Sequence, residues 1–346
     1  MIIRGKGVYL WNIKDTEGGD PEQIAQVAAE AGLQHVLIKI ADRTYPFNVR
    51  GGVDLVPPLV IALRKRNISP VAWHYVYGDD PIGEADVGTY RALALGFDGY
   101  IIDAEVEYKH KYDRAIKFMT RVNSNLDGRM PTYLSSFRFP DLHPEFPWDE
   151  FLSRVTYNMP QIYWLGAHNP VEQLARCVRE FGSGSYPIKP LLPTGAAYRD
   201  NTIDWQATPE EVTAFMGAAL LQDFPAVNFW EMRNTRVFVP GCWDAISDFE
   251  YGATPPPPPD DPVYVQCRVA KVRSDIRGLN VRAAPVYPSA HRWFMLPPGE
   301  LVAVQETKEY PDGSLWLRIG ERQWIAMLWN SPFDGVLYQF VYWEKE

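Results

Sequence analysis

Eight apolar, strand-like runs recur through the first 250 or so residues, and a helix-like segment separates each from the next. The runs are Gly7–Asn12, His35–Ala41, Val71–Tyr77, Gly99–Glu107, Pro131–Ser135, Val155–Trp164, Ile188–Thr194 and Ala226–Met232. The segments between them carry helix signals. Asp20-Pro21-Glu22 offers an N-cap with proline at the first helical position, and Gly32 closes that helix. Asn169-Pro170 opens a helix over Val171–Phe181, and Thr208-Pro209-Glu210-Glu211 opens another with acids in its first turn. Strands joined through helices pair in parallel, and eight such units at roughly 30-residue spacing have the size and count of a (β/α)8 barrel. The alternative, a doubly wound open sheet, lacks its usual mark, because no G-x-G-x-x-G loop follows the first strand.

Five consecutive prolines, Pro255 to Pro259, followed by Asp260-Asp261-Pro262, break this pattern. Such a run forms an extended, semi-rigid spacer. The expected organisation is therefore a barrel over 1–252, a linker over 253–262 and a small domain over 263–346. The last segment is rich in turns, and Leu315-Trp-Leu-Arg-Ile alternates as a half-buried strand does, so it is expected to be all β.

A net charge of −9 argues against a general nucleic-acid partner. No apolar run nears the roughly 18 residues of a membrane span, so no membrane partner is expected. Cys177, Cys242 and Cys267 are odd in number and widely spaced, which fits neither a disulfide framework nor a zinc site. No Gly-Lys-Ser/Thr phosphate loop or G-x-S-x-G elbow occurs. No cofactor is expected. The N-terminus shows no signal-peptide h-region, so the localisation is left open, with action at a cell wall after lysis or non-classical export as the expectation.

In a barrel the active site lies at the C-terminal ends of the strands, and here those ends concentrate polar and aromatic residues. Asp103-Ala-Glu105 closes the fourth run. Alternation puts both carboxylates on one face, Cα atoms about 6.5–7 Å apart, with Glu107 continuing that face. Neighbouring acids push their pKa values apart and leave one protonated near neutral pH, as general-acid attack on a glycosidic bond requires. A solvated strand end is the bland alternative. Metal binding by the three acids lacks any paired-histidine spacing. Lys39 is a candidate to bind a substrate carboxylate or to pair with Asp103, and pairing is favoured. His74 reads more naturally as a hydrogen-bonded barrel histidine than as a substrate contact. Tyr75, Tyr77, Trp164 and Trp230 are candidates to stack on sugars, with Trp164 and Tyr163 first. Gln161 and Tyr163 share a strand face and offer polar groups to a ligand.

Four motifs in strand order resemble the family-25 glycoside hydrolases, the lysozyme-like muramidases. These are His35-Val-Leu-Ile-Lys39-Ile-Ala, Val71-Ala-Trp-His74-Tyr, Asp103-Ala-Glu105 and Pro131-Thr-Tyr-Leu-Ser135-Ser, which together cover about 100 residues. The resemblance implies that Glu105 is the general acid and that Asp103 assists the 2-acetamido group of an N-acetylated sugar. It implies peptidoglycan or a related glycan as the partner. Two segments depart from the family: its first-strand "G-I-D" is Gly7-Val-Tyr9 here, and the sixth run, Tyr157–Trp164, differs from the usual version. Glu231 or Glu107 are candidates to replace the missing carboxylate; a barrel that binds glycan without cutting it, in a phage tail or surface assembly, is the alternative. Leu279-Asn-Val-Arg282-Ala-Ala-Pro285 and Trp324-Ile-Ala resemble a bacterial SH3-like (SH3b) domain, which implies binding of cell-wall peptide or glycan by the tail.

Overall fold

In this computed structural model the described residues are 3–251 and, toward the C-terminus, 268–276, 279–282, 292–296, 298, 301–304, 306–311, 313–320, 323–330 and 337–343. The chain divides into two compact units, Met1–Thr254 and Pro255–Glu346. The proline run lies outside the described residues.

The first unit is a closed barrel of eight parallel strands: β1 (Gly5–Leu10), β2 (His35–Asp42), β3 (Ser69–Val76), β4 (Tyr100–Ala104), β5 (Thr132–Phe137), β6 (Tyr157–Ile162), β7 (Thr194–Ala196) and β8 (Ala226–Trp230). They follow one another in order around the sheet, and β8 pairs with β1 to close it, Gly5 opposite Ala226. Helices α1 (Pro21–Glu30), α2 (Val56–Arg64), α3 (Pro81–Ala94), α4 (Tyr112–Leu126), α5 (Trp148–Leu152), α6 (Pro170–Phe181), α7 (Pro209–Leu221), α8 (Met232–Phe238) and α9 (Pro240–Asp248) form the outer layer. This is the (β/α)8 barrel that the alternation implied. No helix of the described residues is long and apolar enough to cross a membrane.

The caps act largely as expected. Asp20 accepts from the backbone N–H of Glu22 and Gln23, and Thr208 with Glu211 forms a reciprocal capping box. Asn169 does not cap α6; its side-chain oxygen accepts from Gln173 Nε2 instead, and Pro170 alone starts the helix.

The seventh strand lies later than expected. It spans Thr194–Ala196 rather than Ile188–Thr194, because Pro190 and Pro193 have no N–H to give to a ladder. They serve as acceptors only: Pro190 O takes the N–H of Asn158 and Pro193 O that of Asn228. The fourth strand is shorter than expected, ending at Ala104, with a 3-10 turn over Val106–Tyr108.

Alternation sorts the strand residues into two cores. Inside the barrel lie Tyr9, Leu37, Val71, Trp73, Ile101, Tyr133 and Met159, while the odd-one-out positions between them join a larger core beneath the helices. Gly7 shows how tight the interior is: a Cβ there would sit 1.9 Å from His35 Nε2. The buried His35 ring therefore occupies the space that a side chain at residue 7 would need, and its Nε2 meets Asn228 Oδ1 at 2.6 Å.

Among its described residues the second unit is all β. Arg268–Val272 pairs antiparallel with Leu301–Val304 and Val341–Trp343. A second antiparallel sheet holds Leu279–Arg282, Arg292–Leu296, Leu315–Gly320 and Gln323–Asn330. Val272, Leu279, Leu317, Ile325 and Val341 form its core. Ala283 to Pro285 of the SH3-like motif lie outside the described residues.

Candidate active site

At the C-terminal mouth, polar and aromatic side chains at or just beyond the ends of β1, β2, β3, β4, β6 and β8 bound a cavity of about 450 Å³. That volume suits a small ligand or a few sugar units. Asp103, Glu105, Gln161, Lys39 and Asp42 supply its polar lining. Trp11, Trp73, Tyr75, Tyr77, Tyr163 and Trp230 supply aromatic walls.

Gln161 binds the two acids together. Its Nε2 donates to Asp103 Oδ1 and to Glu105 Oε1, each at 2.9 Å, and stands 3.2 Å from Ser135 Oγ. The pleat explains this arrangement. Asp103 pairs with Ser135 across β4 and β5, and β5 in turn sets Phe137 opposite Gln161 of β6, so three neighbouring strands aim one polar group each at the same point. Asp103 is only 3 % exposed, and its pKa is raised well above the usual carboxylate value, first by burial and then by the charge of Glu105. Glu105 is half-buried and is also raised, by burial and by the charge of Glu107; the Gln161 N–H opposes the rise in both. The pair holds a proton at pH values where a free carboxyl group would have lost it.

Lys39 does not pair with Asp103. Its Nζ lies 2.6 Å from Asp42 Oδ2 and is surrounded by the rings of Trp11, Phe47, Trp73 and Tyr75 at 4.3–5.7 Å. A register shift in β2 between Lys39 and Ala41 brings this about: it places Asp42 opposite Tyr75, on the inward face, where strict alternation would have turned it out. Lys39 still acts on Asp103 through space, favouring its charged form.

Tyr75 and Tyr163 line the cavity as expected. Glu107 does not continue the face of β4, because the 3-10 turn carries it away; its Oε2 accepts from the Tyr75 hydroxyl at 2.9 Å. Tyr9 points inward but lies below the cavity floor, fully buried, its hydroxyl donating to Met159 Sδ at 3.2 Å. It supplies packing where the family-25 pattern has a carboxylate.

Three residues lie outside the cavity, and of these His74 is the hydrogen-bonded barrel histidine that its sequence context favoured. His74 faces the helices: its Nε2 donates to Arg43 O at 2.7 Å and its Nδ1 accepts from the Tyr100 hydroxyl at 2.8 Å. Gly88 of α3 makes room for that contact, since a Cβ there would lie 2.1 Å from the Tyr100 oxygen. Trp164 is wholly buried against Phe215, its indole donating to Glu211 Oε2 at 3.1 Å. Glu231 caps α8, accepting from Asn234 N at 2.7 Å. Each follows an inward residue directly (Trp73, Tyr163, Trp230), so its side chain leaves the opposite face.

Trp11, Asp42 and Trp73 also line the cavity and were not among the candidates singled out from the sequence. Trp11 and Trp73 continue the inward alternation of Tyr9 and Val71, a signal that was there to use. The neighbouring loop is held firmly. Glu84, buried in α3, accepts the N–H groups of Tyr77, Gly78 and Asp79 at 2.9–3.2 Å, which fixes the segment bearing Tyr77. No group of metal-ligating side chains occurs among the described residues.

No family model matches the sequence, and no curated protein matches it. Solved structures do resemble the barrel. A Chromobacterium violaceum chitinase superposes with a TM-score of 0.52 at 10% identity, over 70% of this chain and 98% of that one. The class V chitinase of Nicotiana tobaccum gives 0.54 at 10% identity over 71% and 99%. The Bacillus cereus spore cortex-lytic enzyme SleL gives 0.53 at 9% identity over 71% and 74%. At such identities the likeness is one of fold, a (β/α)8 barrel with its mouth at the strand C-termini.

Proposed function

We propose that the protein is a glycoside hydrolase that cleaves β-1,4 bonds of peptidoglycan or a related N-acetylated glycan. The observation that carries this reading is the Asp103–Glu105 pair, bridged by Gln161 and raised in pKa, lining an aromatic-walled cavity. The chitinases and cortex-lytic enzyme among the structural neighbours support a glycan as substrate.

In this reading a sugar seats in the cavity with its 2-acetamido group at Asp103. An N–H donated to Asp103 favours its charged form and leaves the shared proton on Glu105. Glu105 gives that proton to the glycosidic oxygen as the C1–O bond breaks, while the acetamido oxygen closes on C1 from the other face. Water then attacks C1, Glu105 takes its proton, and the anomeric configuration is retained. Both carboxyl groups accept from the one Gln161 amide nitrogen and so present to the same side of a bound sugar, which suits this substrate-assisted scheme. The C-terminal unit, read as an SH3-like module that binds cell-wall peptide or glycan, would raise the local concentration of the barrel at the wall, where the protein acts after release.

Reducing-end release and mass analysis of digested peptidoglycan and chitin oligosaccharides test the reading, with Glu105→Gln beside wild type. New reducing ends are expected, falling by about 10²–10⁴-fold in the variant. Glycan binding without product from a folded wild type would refute hydrolysis and favour the alternative, a glycan-binding barrel in which the first-strand carboxylate gave way to Tyr9.

A further inference from the structure

Arg138 follows β5 directly, one residue beyond Phe137, which registers with Gln161. It stands at the mouth end of the barrel. Its side chain is half-buried, and no hydrogen bond or ion pair reaches it from the described residues; its Nε is buried with no acceptor. The guanidinium lies 5.0 Å from the centre of the Phe139 ring. A second guanidinium, that of Arg176, lies 3.9 Å from the same ring but is already engaged by Glu180 Oε1 at 2.6 Å. The titratable groups whose charges act on Arg138 are Tyr198, Arg176 and Cys177, none of them a carboxylate. Tyr198 in turn packs edge-on against Tyr163 at 5.7 Å, and Tyr163 lines the cavity. Phe137 registers with Gln161, and Tyr163 lies two residues beyond Gln161, so Arg138 leaves its strand at the level of the cavity mouth, beside the strand that carries Tyr163.

A half-buried guanidinium beside a second cation and without an acceptor is costly to keep. Its planar fork of donors matches a carboxylate in bidentate geometry. We infer that Arg138 forms an accessory subsite for a carboxylate carried by the glycan, a lactyl ether or stem-peptide carboxylate, next to the sugar held in the cavity. The inference rests on the glycan reading above and narrows it, because a neutral N-acetylglucosamine polymer has no group for this position. The burial of Arg138 and the adjoining Arg176 both disfavour its charged form, so the subsite gains most when an anion arrives.

The test compares wild type, Arg138→Met and Arg138→Lys on three ligands: soluble peptidoglycan fragments, the same fragments with their carboxylates amidated, and chitin oligosaccharides. Losing a charge-assisted, bidentate contact is expected to raise KM on native fragments about tenfold or more in Arg138→Met, with partial recovery in Arg138→Lys. KM on the amidated and neutral ligands should stay at the wild-type value. Equal changes on all three ligands, no change on any, or a fall in melting temperature with uniform loss of activity would overturn the subsite. If wild type cleaves none of the three, the hydrolase reading fails, and calorimetric binding of the same ligands decides the subsite separately. Affinity for native fragments that Arg138→Met abolishes would uphold it; the same affinity in both proteins, or none in either, would overturn it.

Discussion

Gln161→Leu removes the one group that holds the candidate acids together while keeping much of the side-chain volume. Both carboxyl groups lose an N–H donated at 2.9 Å. Hydrogen bonds to a charged partner contribute about 1.5–3 kcal/mol net, and they favour the charged form of the acceptor. Since about 1.4 kcal/mol corresponds to one pKa unit, the variant should titrate about one to two units higher. The sign of the stability effect follows. Asp103 and Glu105 have folded pKa values above the ordinary carboxylate range, so the folded state binds more protons than the unfolded one and loses stability as pH rises through the folded values. Raising those values further makes the variant fall behind wild type increasingly as pH rises through the wild-type folded values. Carbon-13 NMR of labelled Asp and Glu carboxyls reads the titration whether or not the protein turns over substrate, and urea unfolding across the same range reads the stability. With substrate, the alkaline limb of kcat/KM should move up by the same amount while kcat falls. A titration that stays put or moves down, in a protein whose near-UV circular dichroism is intact, would refute the bridge as drawn.

Two further outcomes follow from residues beneath the site. His35 and His74 are fully buried, and burial lowers each from 6.5 to about 4. Their contribution is complete above pH 6.5 and is lost as pH falls toward 4, at about 3 kcal/mol each, so the urea midpoint should drop steeply over that window; a flat profile would count against both assignments. The carboxyl pair moves in the opposite direction over the same range, which makes His74→Gln the proper control for apportioning the slope. Trp164→Phe should cost about 1–2 kcal/mol of stability through the lost bond to Glu211, with kcat and KM unchanged. A rise in KM with no stability change would return Trp164 to the substrate-binding surface.

The barrel was legible because its signal is redundant. Eight runs, their spacing, and caps such as Asp20-Pro21 and the Thr208–Glu211 box all point to one answer. The failures are local and have separate causes. Residues 188–193 read as a strand by apolar content, yet prolines at 190 and 193 remove the donors that a ladder needs. Glu107 seemed to share the face of Asp103 because a strand was extended past Ala104, where the chain turns into a 3-10 segment. Asp42 depended on a register shift in β2, and a one-residue irregularity leaves little trace in a pattern of period two.

Alternation alone sorts the residues that leave the cavity, His74 to the barrel role its sequence favoured, and Trp164 and Glu231 away from the substrate roles considered for them. His74 sits between Trp73 and Tyr75, both of which line the cavity, so its side chain had to leave the other face. Trp164 follows Tyr163 and Glu231 follows Trp230 in the same relation. All three were chosen for their chemistry, and the pleat spends that chemistry on the outer layer: a hydrogen bond to Tyr100, a bond to Glu211 and a cap on α8. With Glu231 occupied there and Tyr9 packed below the floor, neither supplies the first-strand carboxylate of the family-25 pattern. Asp103 therefore owes its raised pKa to burial and the charge of Glu105, and Glu105 owes its own to burial and the charge of Glu107, with Gln161 opposing both shifts as it fixes their geometry. A site built this way needs only one bridging amide to place its proton, which is why Gln161, rather than a replacement acid, is the residue whose loss should be felt by both carboxyl groups at once.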